Sequence, residues 1–221
     1  MKYKAVIFDL DGTLLDTIED LLDNLNAAFA ALNLQGNFIQ SEMETFLGSG
    51  KKVQIERALQ SRGYPLSLYP KVDEALSVRY MNNAENKTAP YQGILELLQA
   101  LQTLGVKAIC LTNKPHDVAL KVVKTYFGDL ILATYGVKPH SPIKPDRILV
   151  ENTLKLHGLN ANEVLYVGDS DVDMMTANNG DLDSCFVKWG YVRLSEVLKY
   201  HPKYIVSFPL EILDIVKWTN A

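Results

Sequence analysis

Ala5-Val6-Ile7-Phe8-Asp9-Leu10-Asp11-Gly12-Thr13 is the stretch on which the fold of this chain turns. Its four leading apolar residues read as a buried strand that reaches the edge of a sheet, and two acids leave that strand together. Residues i and i+2 of a strand share a face, so Asp9 and Asp11 lean into one place, while Gly12 lets the backbone turn tightly beside a ligand. Like charges so close raise one pKa unless a cation compensates, and hard oxygen ligands of this kind suit Mg2+. Taken alone, residues 9–13 read equally well as a β-turn, because Asp-Gly is a common turn pair and Thr a common cap. The rest of the chain has to separate the two readings.

Working outward, the apolar residues of 16–32 fall at helical spacing, with Asp16 or Thr17 as N-cap. Helical patterns follow at 41–47, 51–62 and 68–83, interrupted by Gly48, Gly50, Gly63 and Pro65. Beyond Pro90 the pattern alternates. Helices are expected at 93–104, 116–126, 145–156 and from the acids at 169–173 to Gly180, with strands at 106–111, 130–135, 164–168, 184–188 and 204–206. Such alternation predicts an α/β fold, a doubly wound parallel sheet with right-handed crossovers. The helical run inserted behind the first acidic tip predicts an all-helical cap domain at 16–87 and a core domain at 1–15 and 88–221, with hinges near 15–17 and 85–89.

With 221 residues, 48% hydrophobic and 22% charged, the chain has material for one good core and a smaller second domain. A net charge of −4 gives no electrostatic reason to expect nucleic acid or an anionic membrane as partner. The first strand begins at once, without a basic segment, apolar stretch and cleavage site ahead of it, and no later run approaches a bilayer's thickness. A cytoplasmic protein with no membrane partner, monomeric or homodimeric, is therefore expected. Cys110 and Cys185 lie in apolar strand-like runs without metal-type spacing, which predicts buried free thiols.

Ligands of doubly wound sheets bind beyond the carboxyl ends of the strands, where the winding direction switches, and the remaining polar motifs fall at such ends. Leu111-Thr112-Asn113-Lys114 offers a hydroxyl and an amide that can donate to phosphate oxygens, although alone it reads as a helix N-cap before Pro115. Ile143-Lys144-Pro145 sets a lysine ahead of a helix, a residue whose chemistry alone makes it a solvated surface charge. Gly168-Asp169-Ser170-Asp171-Val172-Asp173 carries acids suited to a helix start, yet the preceding strand aims Asp169 toward the same place as Asp9.

In this order and at strand tips, the four segments resemble the four motifs of the haloacid dehalogenase superfamily over nearly the whole chain. The resemblance implies that Asp9 is the nucleophile, forming an aspartyl-phosphate, and that Asp11 is the general acid for the leaving oxygen and then the base for water. It implies Mg2+ held by the Asp9 carboxylate, the Asp11 backbone carbonyl and the Asp169 carboxylate. Thr112, Asn113 and Lys144 would bind the phosphoryl oxygens with backbone N–H groups around Gly12, while Thr13 supports the site and Asp173 orients Lys144 or a metal-bound water.

Asp11 with Thr13 favours the phosphatases of the superfamily over its dehalogenases, which lack the second acid. The beta-phosphoglucomutase type keeps both acids but commonly carries an aliphatic residue where Thr13 stands. Residues 46–50, Ala89-Pro90-Tyr91, Thr112-Asn113-Lys114-Pro115 and Trp189-Gly190-Tyr191 resemble phosphoglycolate phosphatases and their near relatives. The segment 48–52 reads either as a reader of the substrate's far end or as an interhelical turn. Asn178-Asn179-Gly180-Asp181 departs from the Ala-rich pattern usual there. Trp189 and Tyr191 read as core or loop anchors, and the four histidines share no metal-like spacing. A phospho-accepting signalling module would share the acidic cluster, but it needs neither an acid at Asp11 nor a large insert. The expected function is a Mg2+-dependent phosphatase of a small phosphorylated metabolite.

Overall fold

The strands whose sequences show no polar alternation are buried on both faces, as a parallel sheet under two helix layers requires. The computed structural model describes residues 2–47, 49–83 and 87–217. Its main sheet is built from β1 (Ala5–Phe8), β2 (Lys107–Pro115), β3 (Ala133–Val137), β4 (Val164–Gly168), β5 (Asp183–Val187) and β6 (Tyr204–Val206). These six strands lie in the order β3-β2-β1-β4-β5-β6, all parallel. The chain winds one way from β1 and the other way from β4, so the switch of direction falls between those two strands.

The chain folds as two compact units, Met1–Leu15 with Pro90–Ala221, and Asp16–Ala89. The second unit holds the helices α1 (Ile18–Ala31), α2 (Gln40–Phe46), α3 (Gly50–Ser61) and α4 (Tyr69–Asn83). Their apolar stripes meet in a core where Phe38 packs edge-on against Phe29 and Phe46, with ring centroids 5.0 and 5.5 Å apart. Arg62 closes the rim with a two-pronged bond to Glu42 and a third to Gly36 O. At one end, buried Asp20 accepts the backbone N–H groups of Lys87 and Thr88 and the Thr88 hydroxyl. Gly50, expected to interrupt a helix, instead opens α3. Gly48, and residues 85 and 86 of the expected hinge, lie outside the described residues.

The first unit contributes α5 (Ile94–Thr103), α6 (His116–Phe127), α7 (Arg147–His157), α8 (Asp171–Asn179), α9 (Leu194–Val197) and α10 (Glu211–Lys217). One sheet face, with Ala5, Ile7, Ile109, Leu111, Val164 and Tyr166, is sealed by Val150 of α7 and Ala177 of α8. Connections from β1 to β2 and on to β3 run in one direction, so right-handed crossovers place α5 and α6 on the opposite face. Three expectations need correction. The second strand continues through Thr112–Lys114 to Pro115, with its pairing to β3 irregular between Leu111 and Pro115. The third starts at Ala133 because Gly128–Leu130 form a 3-10 turn. The helix expected from residue 145 starts at Arg147, where the Asp146 side chain caps the Ile148 N–H at 3.0 Å. The short α9 and the terminal α10 were not anticipated; α9 spans too few residues to show a period.

At the amino end of β5, Asp183 accepts Lys2 Nζ at 2.6 Å, the Tyr3 hydroxyl at 2.5 Å and Lys203 Nζ at 2.7 Å. Burial alone would raise its pKa, but the bonds from Lys2, Lys203 and Tyr3 overcome that and pull it down to about 2. A depressed folded-state pKa gives stability that is present above the unfolded value near ~3.9 and is lost as pH falls through it toward the folded value. Asp183→Asn is expected to cost about 1–2 kcal/mol at pH 7, a difference from wild type that fades between about pH 4 and pH 2. Denaturant unfolding at those pH values measures it, and an unchanged difference at low pH would contradict the assignment.

Candidate active site

The sheet delivers the polar residues to one place. Asp9 follows β1 directly, and its N–H donates to Val167 O of β4 at 3.0 Å, so the strand pair at the winding switch fixes its backbone. The next residues form a tight turn in which the N–H groups of Thr13, Leu14 and Leu15 converge on Leu10 O. Gly12 has φ +87°, and a Cβ there would lie 2.5 Å from Asp169 Oδ2, so only glycine lets the turn come this close to the second carboxylate. The Gly12 N–H donates to Leu15 O at 2.9 Å. What a glycine supplies at this position is therefore close approach.

Asp169 leaves β4 and is pinned at both oxygens: the Thr13 hydroxyl donates to Oδ1 at 3.1 Å and the Tyr191 N–H to Oδ2 at 2.8 Å. Ser170 caps α8, accepting the Asp173 N–H on Oγ while its own N–H and hydroxyl donate to Asp173 Oδ2, a reciprocal capping box. The other oxygen of Asp173 takes Lys144 Nζ at 2.8 Å and the Tyr166 hydroxyl at 3.1 Å. Lys144 Nζ also lies 2.7 Å from Asp9 Oδ1, so one buried ammonium joins two buried carboxylates. That approach is an ion pair without hydrogen-bond alignment, and Asp9 Oδ1 is buried with no donor directed at it among the described residues.

The second strand tip is tied to the segment that carries Lys144. Asn113 accepts the Lys144 N–H on Oδ1 at 2.8 Å and donates from Nδ2 to Lys144 O at 3.2 Å, so its amide grips the backbone that carries the lysine. Asn113 thus clamps Lys144 and keeps a second Nδ2 hydrogen beyond the one given to Lys144 O. Thr112 Oγ1 accepts the Lys114 N–H at 3.1 Å, which leaves the hydroxyl proton for another acceptor. Lys114, given no task by the sequence reading, donates to Asp11 Oδ1 at 2.8 Å with its side chain 5% exposed. Tyr166 and the Tyr191 N–H were missed as well. A tyrosine inside an apolar strand, or a backbone donor in a loop, carries no sequence signal, whereas Lys114 stood inside a motif already singled out.

Oxygens of Asp9, Asp169 and Asp173 lie within 4.8 Å of one another, all three residues being buried. Burial first, and then the Asp173 charge, push the Asp9 carboxyl up to about 7 against the pull of Lys144. Burial and the charges of Asp173 and Asp9 raise Asp169 well above the ordinary carboxylate range. Burial works against the charge on Lys144, but Asp173 and Asp9 more than reverse it and hold the ammonium protonated. With every carboxylate ionised, the four acids Asp9, Asp11, Asp169 and Asp173 less the two ammonium groups of Lys144 and Lys114 leave two negative charges, the complement of one divalent cation. Because four donors already occupy Asp173, the carboxylates of that clustered trio with lone pairs left for a cation are those of Asp9 and Asp169. The residues present fit a hard divalent ion such as Mg2+.

A family model for haloacid dehalogenase-like hydrolases matches residues 6–187, from β1 to the end of β5. The chain belongs to that family. Among its relatives, the phosphoglycolate phosphatase of Mesorhizobium japonicum is 32% identical over 211 residues, which cover 94% of this chain and 92% of that protein. The phosphoglycolate phosphatase of Aquifex aeolicus is 27% identical over 220 residues, 96% of either chain. A crystal structure from Lactobacillus delbrueckii subsp. bulgaricus superposes with a TM-score of 0.90 at 30% identity, covering 98% of this chain and 99% of that one. As a haloacid dehalogenase-like hydrolase the chain is an enzyme, so the non-enzymatic signalling module is set aside.

Proposed function

We propose that this hydrolase is a Mg2+-dependent phosphatase of a small phosphorylated metabolite, with 2-phosphoglycolate as the first substrate to examine. The observation that carries the reading is the nest of three buried carboxylates around one buried ammonium, which when ionised is two positive charges short of balance. The names of the two relatives supply the substrate class. Asp9 and Asp169, with the Asp11 backbone carbonyl, would hold the cation. Bound there, it would supply positive charge to the phosphoryl oxygens and offset the repulsion between the carboxylates.

In the proposed reaction an Asp9 oxygen attacks phosphorus in line with the ester bond, which breaks as the leaving oxygen takes a proton from Asp11. Water then attacks the aspartyl-phosphate, giving its proton to Asp11, and phosphate departs with the Asp9 carboxylate restored. Lys144, gripped by Asn113 and Asp173, would meet the charge on the phosphoryl group together with the Thr112 hydroxyl. Lys114 holds the Asp11 carboxylate by its ion pair. Hydrolysis of phosphate monoesters needs accelerations up to about 10²¹, of which a general acid supplies only about 10² to 10⁴, so charge and positioning must provide most of the rest. Residues 16–87, inserted directly behind Asp11 and Thr13 in the chain, are proposed as the cap domain that selects the substrate.

Phosphate release from a panel including 2-phosphoglycolate and sugar phosphates, with and without EDTA, tests the proposal. Release that needs Mg2+ is the expected result. Undiminished release in EDTA, or isomerisation of a sugar phosphate with no phosphate freed, would overturn it.

A further inference from the structure

We propose that the loop Trp189-Gly190-Tyr191 is a strap that presets the Asp169 carboxylate for its divalent cation and ties it to the turn behind Asp11. The inference rests on the metal assignment made above. Three hydrogen bonds close a ring through these residues. The Tyr191 N–H donates to Asp169 Oδ2 at 2.8 Å, the Thr13 hydroxyl to Asp169 Oδ1 at 3.1 Å, and the Trp189 indole Nε1–H to Thr13 O at 3.0 Å. Each Asp169 oxygen thus spends one lone pair on the ring and keeps one, and the carboxylate is fixed in plane before any ion arrives.

Gly190 makes the geometry possible. A Cβ built on it would overlap the Asp169 side chain, so any other residue forces the carboxylate or the strap to move. Trp189 is braced from its other side, its ring 6.5 Å from that of Tyr91, and both line an apolar cleft of about 510 Å³ with Phe208 and Pro209. A phenylalanine at 189 can therefore keep the wall while removing the N–H that reaches Thr13. These are positioning residues: they act on the ion through Asp169, and partners of this kind typically change metal affinity by about 10- to 100-fold.

The test is calorimetric titration of Mg2+ into the full chain, with wild type, Gly190→Ala and Trp189→Phe compared and the melting temperature of each metal-free protein recorded. Gly190→Ala is expected to weaken Mg2+ binding about 10- to 100-fold. Trp189→Phe should weaken it about fivefold, as for one lost hydrogen bond, with cooperative metal-free unfolding retained. If Gly190→Ala does not fold, Trp189→Phe decides alone. Wild-type affinity in the folded variants would overturn the strap while leaving the metal assignment intact. A wild-type protein that takes up no Mg2+ would instead overturn the metal assignment, and the strap's purpose with it.

Discussion

Asp9→Asn is expected to abolish phosphate release while making the metal-free protein more stable. The amide oxygen is a poor nucleophile, and removing a nucleophile that acts as one unit with its neighbours costs on the order of 10⁴- to 10⁶-fold in turnover. The opposite sign for stability follows from the surroundings of the carboxylate. Burial and the neighbouring Asp173 charge push its pKa up to about 7, so the folded metal-free protein holds that proton more tightly than the unfolded chain does. Stability from this group therefore falls as pH rises from about 4 to about 7 and stays low above it. An asparagine carries no such penalty, and Lys144 keeps its second partner Asp173. Calorimetric melting in EDTA should show the variant's advantage growing from pH 5 to pH 8, and Mg2+ should raise the wild type more than the variant. A variant less stable than wild type at pH 8 in EDTA would contradict this.

Lys144→Met is expected to shift stability the other way, costing both activity and the fold. The ammonium is 2% exposed in its side chain and lies within 2.8 Å of carboxylates of Asp9 and Asp173. Removing one partner of a buried ion pair leaves uncompensated charge and costs about 3–5 kcal/mol. Methionine has nearly the same length and apolar stem, so the loss reports the charge and not a cavity. Acid should restore part of the stability, because the carboxylates protonate once their cation is gone, and adding Asp173→Asn should restore more. Turnover should fall about 10²- to 10³-fold, as for other lost donors to a developing oxyanion. Urea unfolding at pH 8 and pH 5.5 reads the stability, and a cost below about 1 kcal/mol at pH 8 would show that the carboxylates do not depend on the lysine.

The strand tips were legible because apolar runs of four or five residues ending in acids, or in Thr-Asn-Lys, carry both a period and a chemical contrast. Asp9 and Asp169, distant in sequence, meet because the parallel strands β1 and β4 either side of the winding switch end at one edge. Hydrogen-bond direction was beyond reach from sequence. Nothing in the sequence shows that the Asn113 amide grips the Lys144 backbone, or that the Gly12 N–H closes its own turn. Tyr166 was illegible for a further reason, since it gains its meaning from the Asp173 carboxylate of α8, whereas Lys114 stood in a motif already in view and lacked only its partner Asp11. Trp189 and Tyr191, expected as core or loop anchors, do anchor, but the thing anchored is the carboxylate at the tip of β4 and the turn behind β1.

Acid quench of the enzyme during turnover of labelled 2-phosphoglycolate or another accepted ester, followed by peptide mapping, reaches the central claim most directly. The predicted result is a Mg2+-dependent phosphoryl group on Asp9 that forms and decays at least as fast as turnover and is absent from Asp9→Asn. Turnover with the label on another residue, or release of phosphate by an Asp9→Asn protein at the wild-type rate, would contradict it.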